Sequence, residues 1–484
     1  MKKITEIDPQ TAAQQVLPML DEISPSMCMA KWLWSSIHLT NGLTNSCFLP
    51  PLHKIDPKAV ENNPRALHNT PEKKAQRKMM LKGEQPEGCN SCWKVEAQGK
   101  QLSDRAYRSS EPWAQQGWEE VIATGSEGDI DPTYLEVNFN HACNLACSYC
   151  SPHLSSKWAE DIEQNGPYPT KVPHNSIEYF KSIGHYPIPN REHNPYVEAF
   201  WKWWPELYPK LKHFRMTGGE PLMDKNTFRV LDYVLDHPRD DLNISITSNA
   251  SVPKKNWDRF VDTVSFIDEY KKLESFRLYV SVDGWGEQAE YMRDGLDFEL
   301  LWNNVNNYLT RTKDGLVTFI VTLNMLSMPS VKKLMQGILE LQRIHNVKKT
   351  RRDDNGKLTY YGNHRVFVDT PALHYPAWQS LKVLPEEFWH YGDECLEFMK
   401  ANTDKQRESR WVGFKPHQIK RFERSLDFMK QGFPTEQDKI NAQENFVRFF
   451  EEYDKRRNLN FHKTFVEFSP YVKRWKKNAI LTSS

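Results

Sequence analysis

From residue 134 onward, short β-rich runs alternate with segments of helical spacing, and this alternation limits the possible folds more than any other feature of the sequence. The β-rich runs are YLEVNF (134–139), HFRMT (213–217), NISIT (243–247), RLYVSV (277–282), VTFIVTL (317–323) and RVFVD (365–369). Between them, apolar residues recur at intervals of three and four in three sets: Phe228, Leu231, Val234 and Leu235; Leu301, Val305 and Tyr308; Val331, Leu334, Ile338 and Leu341. The pattern predicts an α/β fold, either a parallel sheet with helices or a partial (β/α)6 barrel.

Changes in pattern divide the chain into four stretches. Residues 1–110 carry one group of cysteines and little periodicity, which predicts a small cysteine-rich domain. Residues 111–132 are polar and turn-rich, as expected of a linker, and residues 133–375 hold the β/α pattern. Residues 376–484 contain no further strand pattern and are predicted to be helical. Two amphipathic helices are marked there by Ile419, Phe422, Leu426 and Met429, and by Phe446, Phe449, Phe450 and Tyr453.

A long interval, residues 151–212, separates the first two β-rich runs. It is rich in tryptophan: Trp158, Trp201, Trp203 and Trp204. An insertion of this length inside a β/α unit predicts a lid or a substrate-binding element.

The overall charge excludes a strong general attraction to nucleic acid or anionic lipid. The chain has 484 residues and a formal net charge of +1. No apolar stretch approaches the roughly 20 residues of a membrane helix, and the N-terminus lacks the apolar region of a secretory signal. We therefore expect a cytoplasmic protein with no membrane partner.

Three cysteines lie on one short loop directly after the first strand. Cys143, Cys147 and Cys150 have the spacing C-x3-C-x2-C, which allows three thiolates to hold three corners of a cubane iron–sulfur cluster. The fourth iron would then be open to a small chelating molecule. Structural zinc is the alternative, with His141 or His153 as the fourth ligand. The loop follows the carboxyl end of a strand, where β/α barrels build active sites.

The motif and its position after the first strand resemble the radical S-adenosylmethionine enzymes. The resemblance covers residues 133–375 and implies that the three cysteines hold a catalytic [4Fe-4S] cluster. Tyr149 matches the aromatic residue that lies against adenine in that family. The second strand ends in Gly218-Gly219-Glu220-Pro221, where glycines allow a close backbone approach and the carboxylate can receive an ammonium group. In the family this motif holds the amino group of S-adenosylmethionine.

Polar residues also follow the later strands. They are Ser248, Asn249, Ser281, Asp283, Arg293 and Asn324. Small polar groups at strand ends can bind ribose hydroxyls, and a guanidinium suits a carboxylate. Similar Ser, Asp and Arg positions take these roles in the family, so the resemblance implies cofactor binding by Ser248, Asn249, Ser281, Asp283 and Arg293. Asn324 is the weakest candidate, and ordinary turn chemistry is the alternative for all of them.

The N-terminal stretch holds a second group of cysteines. Cys28 and Cys47 flank a segment that fits a small hairpin, and Cys89 and Cys92 follow as C-x2-C. Four thiolates can be the ligands of either a zinc ion or an iron–sulfur cluster. Cys395 stands alone, as a buried structural cysteine or, alternatively, a hydrogen-atom donor.

This second group resembles the twitch or SPASM type of auxiliary-cluster domain, and so does the run Glu96-x2-Gly99-x3-Ser103-x-Arg105. Such domains usually follow the radical core, whereas here the group precedes it. Four cysteines allow one auxiliary cluster. If Cys28 is not a ligand, one iron would be open to substrate.

The resemblance implies an enzyme that reductively cleaves S-adenosylmethionine to form a 5′-deoxyadenosyl radical, which abstracts hydrogen from a substrate. An electron donor such as flavodoxin or ferredoxin is implied as a partner. A peptide or protein is the first expectation for the substrate, and a nucleotide or nucleic acid is the second. The third alternative is a non-catalytic scaffold that binds zinc.

Overall fold

The computed structural model describes residues 9–99, 101–172, 175–189, 191–352, 358–404 and 412–481. Two compact units are present: the first contains residues 1–140, 184–218 and 239–245, and the second contains residues 141–183, 219–238 and 246–484.

Nine helices and a set of strands with both parallel and antiparallel pairings form the described part of the first unit. The helices are α1 (Pro9–Ile23), α2 (Ala30–Leu33), α3 (Pro57–Asn62), α4 (Pro71–Leu81), α5 (Asn90–Ala97), α6 (Asp104–Ser110), α7 (Pro112–Gln116), α8 (Trp118–Thr124) and α11 (Pro195–Leu207). The strands are β1 (Trp34–His38), β2 (Leu43–Asn45), β3 (His53–Lys54), β4 (Tyr134–Asn138), β6 (His213–Thr217) and the part of β7 (Arg239–Ser248) up to Ser245.

The strand order in the first unit is β7-β6-β4-β1-β2-β3. Strands β4 and β6 are parallel, with Val137 opposite Met216, and these two apolar side chains are fully buried. The predicted hairpin between Cys28 and Cys47 is present as antiparallel β1 and β2. Strand β1 also pairs in parallel with β4, so the cysteine-bearing segment extends the sheet that starts the predicted core.

Residues 111–132, predicted as a linker, contain α7 and α8. These helices have only five and seven residues, too few for periodicity to reveal them. Trp113 and Val121 supply their buried contacts, and the indole of Trp32 donates a hydrogen bond to the carbonyl of Gly125. This segment therefore packs into the first unit.

The second unit combines further parallel strands with the remaining helices. Its strands are β5 (Ala146–Cys147), the end of β7, β8 (Leu273–Ser281), β9 (Arg293–Asp294), β10 (Leu316–Ile320), β11 (Val347–Arg352), β12 (Leu358–Asn363) and β13 (Val366–Asp369). Its helices are α9 (Ser156–Asn165), α10 (Ile177–Ser182), α12 (Lys225–Asp236), α13 (Lys254–Glu269), α14 (Glu287–Met292), α15 (Phe298–Arg311), α16 (Met328–His345), α17 (His390–Ala401), α18 (Pro416–Lys430), α19 (Glu436–Arg457), α20 (Phe461–Thr464) and α21 (Ser469–Leu481).

The order β7-β8-β10-β13 forms the parallel part of the second unit, while β5 pairs with β9 and β11 pairs with β12 as antiparallel ladders. Period-2 alternation explains β8, where Leu278 and Val280 are buried and the residues between them are partly exposed. Each of the six predicted runs contains a strand, and the α/β class is confirmed.

The C-terminal stretch is helical, as predicted. On α19, Phe446, Phe449, Phe450 and Tyr453 are all buried, as are the marked residues of α18. Among the described residues, no helix has both the length and the apolar character needed to cross a bilayer.

Candidate functional site

The three-cysteine loop lies in the second unit and is closed by its own backbone. The amide of Cys150 donates to the carbonyl of Cys147 at 2.9 Å, and the amide of Leu145 donates to the sulfur of Cys143 at 3.4 Å. Burial raises the pKa of the Cys143 thiol to about 12, and repulsion from Cys147 adds to this shift. The pKa of Cys150 is raised for the same reasons, by burial first and then by the other two sulfurs. The three sulfurs therefore share one electrostatic environment, and all three thiolates need a nearby positive charge.

Side chains from distant segments hold this loop in place. The indole of Trp158 donates to the Cys147 carbonyl at 2.8 Å, and Tyr453 on α19 donates to the Ala146 carbonyl at 3.2 Å. Gln379 exchanges two hydrogen bonds with Ser148, one to its carbonyl and one from its hydroxyl. Sequence analysis marked Trp158 and Tyr453 only as an insertion residue and an apolar helix position, and missed Gln379.

Gly219 gives the chain a close approach to the cysteine loop. A Cβ at this position would lie 2.4 Å from the carbonyl oxygen of Ala142, so no other residue fits without a shift of the backbone. The amide of Glu220 then donates to the same carbonyl at 2.7 Å. Gly218, in the first unit, has φ +142, a conformation that also favours glycine.

Three hydrogen bonds hold the carboxylate of Glu220. Its carboxylate accepts hydrogen bonds from the Ser248 hydroxyl at 2.8 Å, the Asn249 amide at 2.7 Å and the Leu222 amide at 3.0 Å. Burial raises its pKa to about 7, although these three donors act in the opposite direction. The carboxylate is therefore rigidly held, and a cation reaching it would favour its charged form. Ser248 and Asn249 support Glu220 in this arrangement.

Tyr149, Asp283 and Arg293 form a second buried cluster. Arg293 grips Asp283 through a fork at 2.8 and 3.1 Å, and the Tyr149 hydroxyl donates to Asp283 at 2.7 Å. The amide of Thr322 also donates to Asp283, whose side chain is fully buried. Burial raises the pKa of Tyr149 well above its usual range, and the carboxylate of Asp283 acts in the same direction.

Ser281 and Asn324 stand apart from these networks. Ser281 ends β8 and is partly exposed. Asn324 caps a short turn, because its side-chain oxygen accepts a hydrogen bond from the amide of Leu326 at 2.9 Å. This contact is the ordinary turn chemistry that was the alternative to cofactor binding.

The two histidines considered as zinc ligands have different surroundings. His153 shares a hydrogen bond with the Ser151 hydroxyl and its ring lies 4.0 Å from that of Phe180. Nδ1 of His141 is buried without a hydrogen-bond partner. Within the described ranges, no three His, Cys, Asp or Glu side chains form a group that could hold a metal ion.

The four N-terminal cysteines line one pocket of the first unit. The cavity has a volume of about 30 Å³, and its other polar lining residues include Ser46, Lys31, Arg105 and Arg108. Burial raises the pKa of Cys28 to about 12, that of Cys47 to about 11 and that of Cys92 to about 12. Repulsion from other cysteines of the same pocket contributes at each of them.

The run Glu96…Ser103…Arg105 braces this pocket. Arg105 makes ion pairs with Glu96 at 2.8 Å and with Asp21 at 3.1 Å, and Ser103 donates to Glu96. These contacts join α5, which carries Cys92, to α6. Cys395 is fully buried in α17.

One stretch of the chain matches a family model. Residues 137–337 match the Radical SAM superfamily, which confirms the expected family for this stretch. No curated protein matches the chain. The auxiliary-cluster domain stays a prediction.

Solved structures of SuiB from Streptococcus suis also match. One crystal structure has 12% sequence identity, covers 79% of this chain and 70% of SuiB, and gives a TM-score of 0.35. The S-adenosylmethionine complex of SuiB gives 11%, 79%, 71% and 0.34 for the same quantities. The complex of SuiB with its precursor peptide SuiA gives 11%, 83%, 78% and 0.33.

Proposed function

From the premise that residues 137–337 carry a radical SAM domain, we propose that this protein cleaves S-adenosylmethionine reductively at a [4Fe-4S] cluster. One observation carries the proposal: Glu220 follows a glycine that touches the cysteine loop, and its carboxylate is fixed by two strand ends. A buried carboxylate that could bind a cation is thus held beside the loop of three partly buried cysteines.

Three cysteines on one loop are the type of donor that a cubane cluster takes. Cys143, Cys147 and Cys150 supply three sulfurs from one loop, and because burial raises their thiol pKa values, the thiolate forms need the positive charge that bound iron would supply. The bare backbone of Gly219 offers an approach that a side chain would block. When bound, the cluster would supply the electron that breaks the C–S bond of S-adenosylmethionine and yields a 5′-deoxyadenosyl radical.

The chain's own residues bind and orient the reactant. Glu220 receives the ammonium group of S-adenosylmethionine. Ser248 and Asn249 hold the Glu220 carboxylate in one orientation. Ser281, at the end of β8, stays our candidate for a ribose hydroxyl, and the ring of Tyr149 for the adenine. Burial of Glu220, Ser248 and Asn249 limits the access of water to the Glu220 carboxylate.

We also propose an auxiliary iron–sulfur cluster in the pocket lined by Cys28, Cys47, Cys89 and Cys92. All four cysteines line this pocket, and the hydroxyl of Ser46 is buried without a hydrogen-bond partner, as expected beside a group that accepts hydrogen bonds. Lys31 and Arg105 would offset the negative charge of the thiolates. The role is electron transfer or structure if all four cysteines are ligands.

The substrate that loses hydrogen is, in our proposal, a peptide or protein. The support is the resemblance of the N-terminal cysteine pattern to auxiliary domains of peptide-modifying enzymes, which is analogy alone. Salt-dependent binding of RNA in place of peptides would favour the nucleic-acid alternative.

Iron and sulfide analysis of anaerobically purified protein tests both clusters. We expect about eight irons per chain in the wild type and about four after Cys89→Ala/Cys92→Ala. The Cys143→Ala/Cys147→Ala variant is the matched control and should retain only the N-terminal iron. Stoichiometric zinc with no visible absorption from iron–thiolate bonds would contradict the proposal and favour the scaffold.

A further inference from the structure

Arg293 lies directly across a two-residue ladder from Cys147. Strands β5 and β9 are antiparallel, with Cys147 opposite Arg293 and Ala146 opposite Asp294. The amide of Ser148 extends the contact by donating to the Met292 carbonyl at 2.8 Å. The backbone therefore fixes the separation of these two residues before any side chain is considered.

The Arg293 side chain turns back onto the sulfur. Its Nη1 atom lies 3.6 Å from Sγ of Cys147, within the range of an N–H···S hydrogen bond. Nη2 donates to the Tyr149 hydroxyl at 2.6 Å, and the fork to Asp283 holds the rest of the guanidinium. Every nitrogen of the guanidinium thus has a partner, and its orientation is determined.

The charged groups of Arg293 and Asp283 differ in their contact with the sulfur of Cys147. The guanidinium contacts the sulfur itself, whereas the Asp283 carboxylate is joined to the sulfur through Arg293. Only 8% of the Arg293 side chain and none of the Asp283 side chain are exposed, so water screens neither charge well. The nearer positive charge therefore dominates the potential at Cys147.

We propose that Arg293 is a positioning residue for the Cys147 ligand and that its charge makes the bound cluster easier to reduce. The inference rests on the proposed function, because it requires a cluster at Cys147. A cation beside a ligand sulfur stabilises the more negative, reduced state, and hydrogen bonds to ligand sulfurs raise cluster potentials. Asp283 tempers this effect and fixes the direction of the guanidinium.

The rival role for Arg293 is binding of the carboxylate of S-adenosylmethionine. The two roles differ in what they predict for a cluster measured without that molecule. If Arg293 acts through Cys147, its removal changes the midpoint potential of the cluster even when S-adenosylmethionine is absent. If it acts on the carboxylate, only the affinity for S-adenosylmethionine changes.

The test is a redox titration followed by electron paramagnetic resonance, without S-adenosylmethionine, on anaerobically reconstituted protein. For Arg293→Gln we expect a more negative midpoint potential, with at least a tenfold higher ratio of oxidised to reduced cluster at a fixed ambient potential. This corresponds to about 59 mV for one electron. For Asp283→Asn we expect a shift of opposite sign, because the guanidinium charge is then unopposed. Arg293→Lys should restore part of the wild-type potential.

Arg365→Gln is the matched control for loss of a buried guanidinium. Arg365 donates to the Gly315 and Leu309 carbonyls and makes no described contact with a cysteine. Potentials equal to wild type in both Arg293→Gln and Asp283→Asn, or shifts of the same sign in both, would overturn the inference. If the Arg293→Gln variant retains no iron, the other two variants decide. Shifts of opposite sign in the midpoint potentials of Asp283→Asn and Arg293→Lys then support the inference. Unchanged midpoint potentials in these two variants overturn the inference. A wild type that binds no cluster would refute the proposed function instead.

Discussion

The hydroxyl of Tyr453 lies 3.2 Å from the carbonyl oxygen of Ala146, the residue before Cys147, across 307 positions of sequence. The same hydroxyl lies 3.2 Å from the Tyr291 carbonyl oxygen. The guanidinium of Arg457 lies 4.1 Å from the centre of the Tyr453 ring. Arg457 itself is paired with Asp161 and Asp294. The helix α19 thereby fastens the cysteine loop to β9, which gives the C-terminal region a role in the candidate site.

Replacing Tyr453 by phenylalanine should weaken this attachment. The change removes one hydroxyl and leaves two buried carbonyls with one partner fewer, a loss of about 1–2 kcal/mol in the free energy of unfolding. Urea unfolding of the iron-free protein measures this loss, and the iron of the core cluster should also dissociate faster to a chelator. Tyr471→Phe is the control, since no hydrogen bond of its hydroxyl is seen in the described part of the chain. Equal iron release from both variants would contradict the assigned role of Tyr453.

The stability of the iron-free protein should fall as the pH rises through the range set by Glu220. Burial raises the pKa of Glu220 from 4.5 to about 7, so the folded state binds this proton more tightly than the unfolded state. The resulting stabilisation is complete below pH 4.5 and is lost as the pH rises through about 7. Its size is on the order of 3 kcal/mol.

Glu220→Gln keeps the shape but removes the titration. Urea unfolding at pH 5 and pH 8 should therefore show a smaller loss of stability in the variant than in the wild type. An identical pH dependence in the two proteins would show that the carboxylate does not bind its proton as described.

Gly219→Ala should disturb the cysteine loop. The new Cβ would meet the carbonyl oxygens of Ala142 at 2.4 Å and His141 at 2.5 Å, both of which belong to rigid backbone. We expect a loss of 1–3 kcal/mol in the free energy of unfolding and a core cluster that no longer reconstitutes fully. Gly88→Ala is the matched change, because its Cβ would meet Pro51 only at 3.4 Å. Normal iron content in Gly219→Ala would contradict the close approach.

The local features of this protein could be predicted from its sequence. The alternation along β8 and the helical spacing on α19 depend on neighbouring residues, and both elements are present. The loop of Cys143, Cys147 and Cys150 was likewise visible as a motif. Short strands were not, since β5 and β9 have two residues each and carry no periodic signal.

The partners of individual side chains could not be predicted either. The binding of a cofactor carboxylate by Arg293 stays a prediction, and the contacts of Arg293 with the carboxylate of Asp283 and the sulfur of Cys147 were not visible in the sequence. Gln379 reaches Ser148 across 231 positions. Such contacts depend on how strands and helices pack after they have formed, and a single sequence does not record that packing.

The most direct test of the account is the formation of 5′-deoxyadenosine by anaerobically reconstituted protein, reduced in the presence of S-adenosylmethionine. The account predicts that the wild type forms 5′-deoxyadenosine together with methionine, and that Cys147→Ala forms none above background. A wild type with its full iron content that forms no 5′-deoxyadenosine, or a Cys147→Ala variant that forms as much as the wild type, would contradict it.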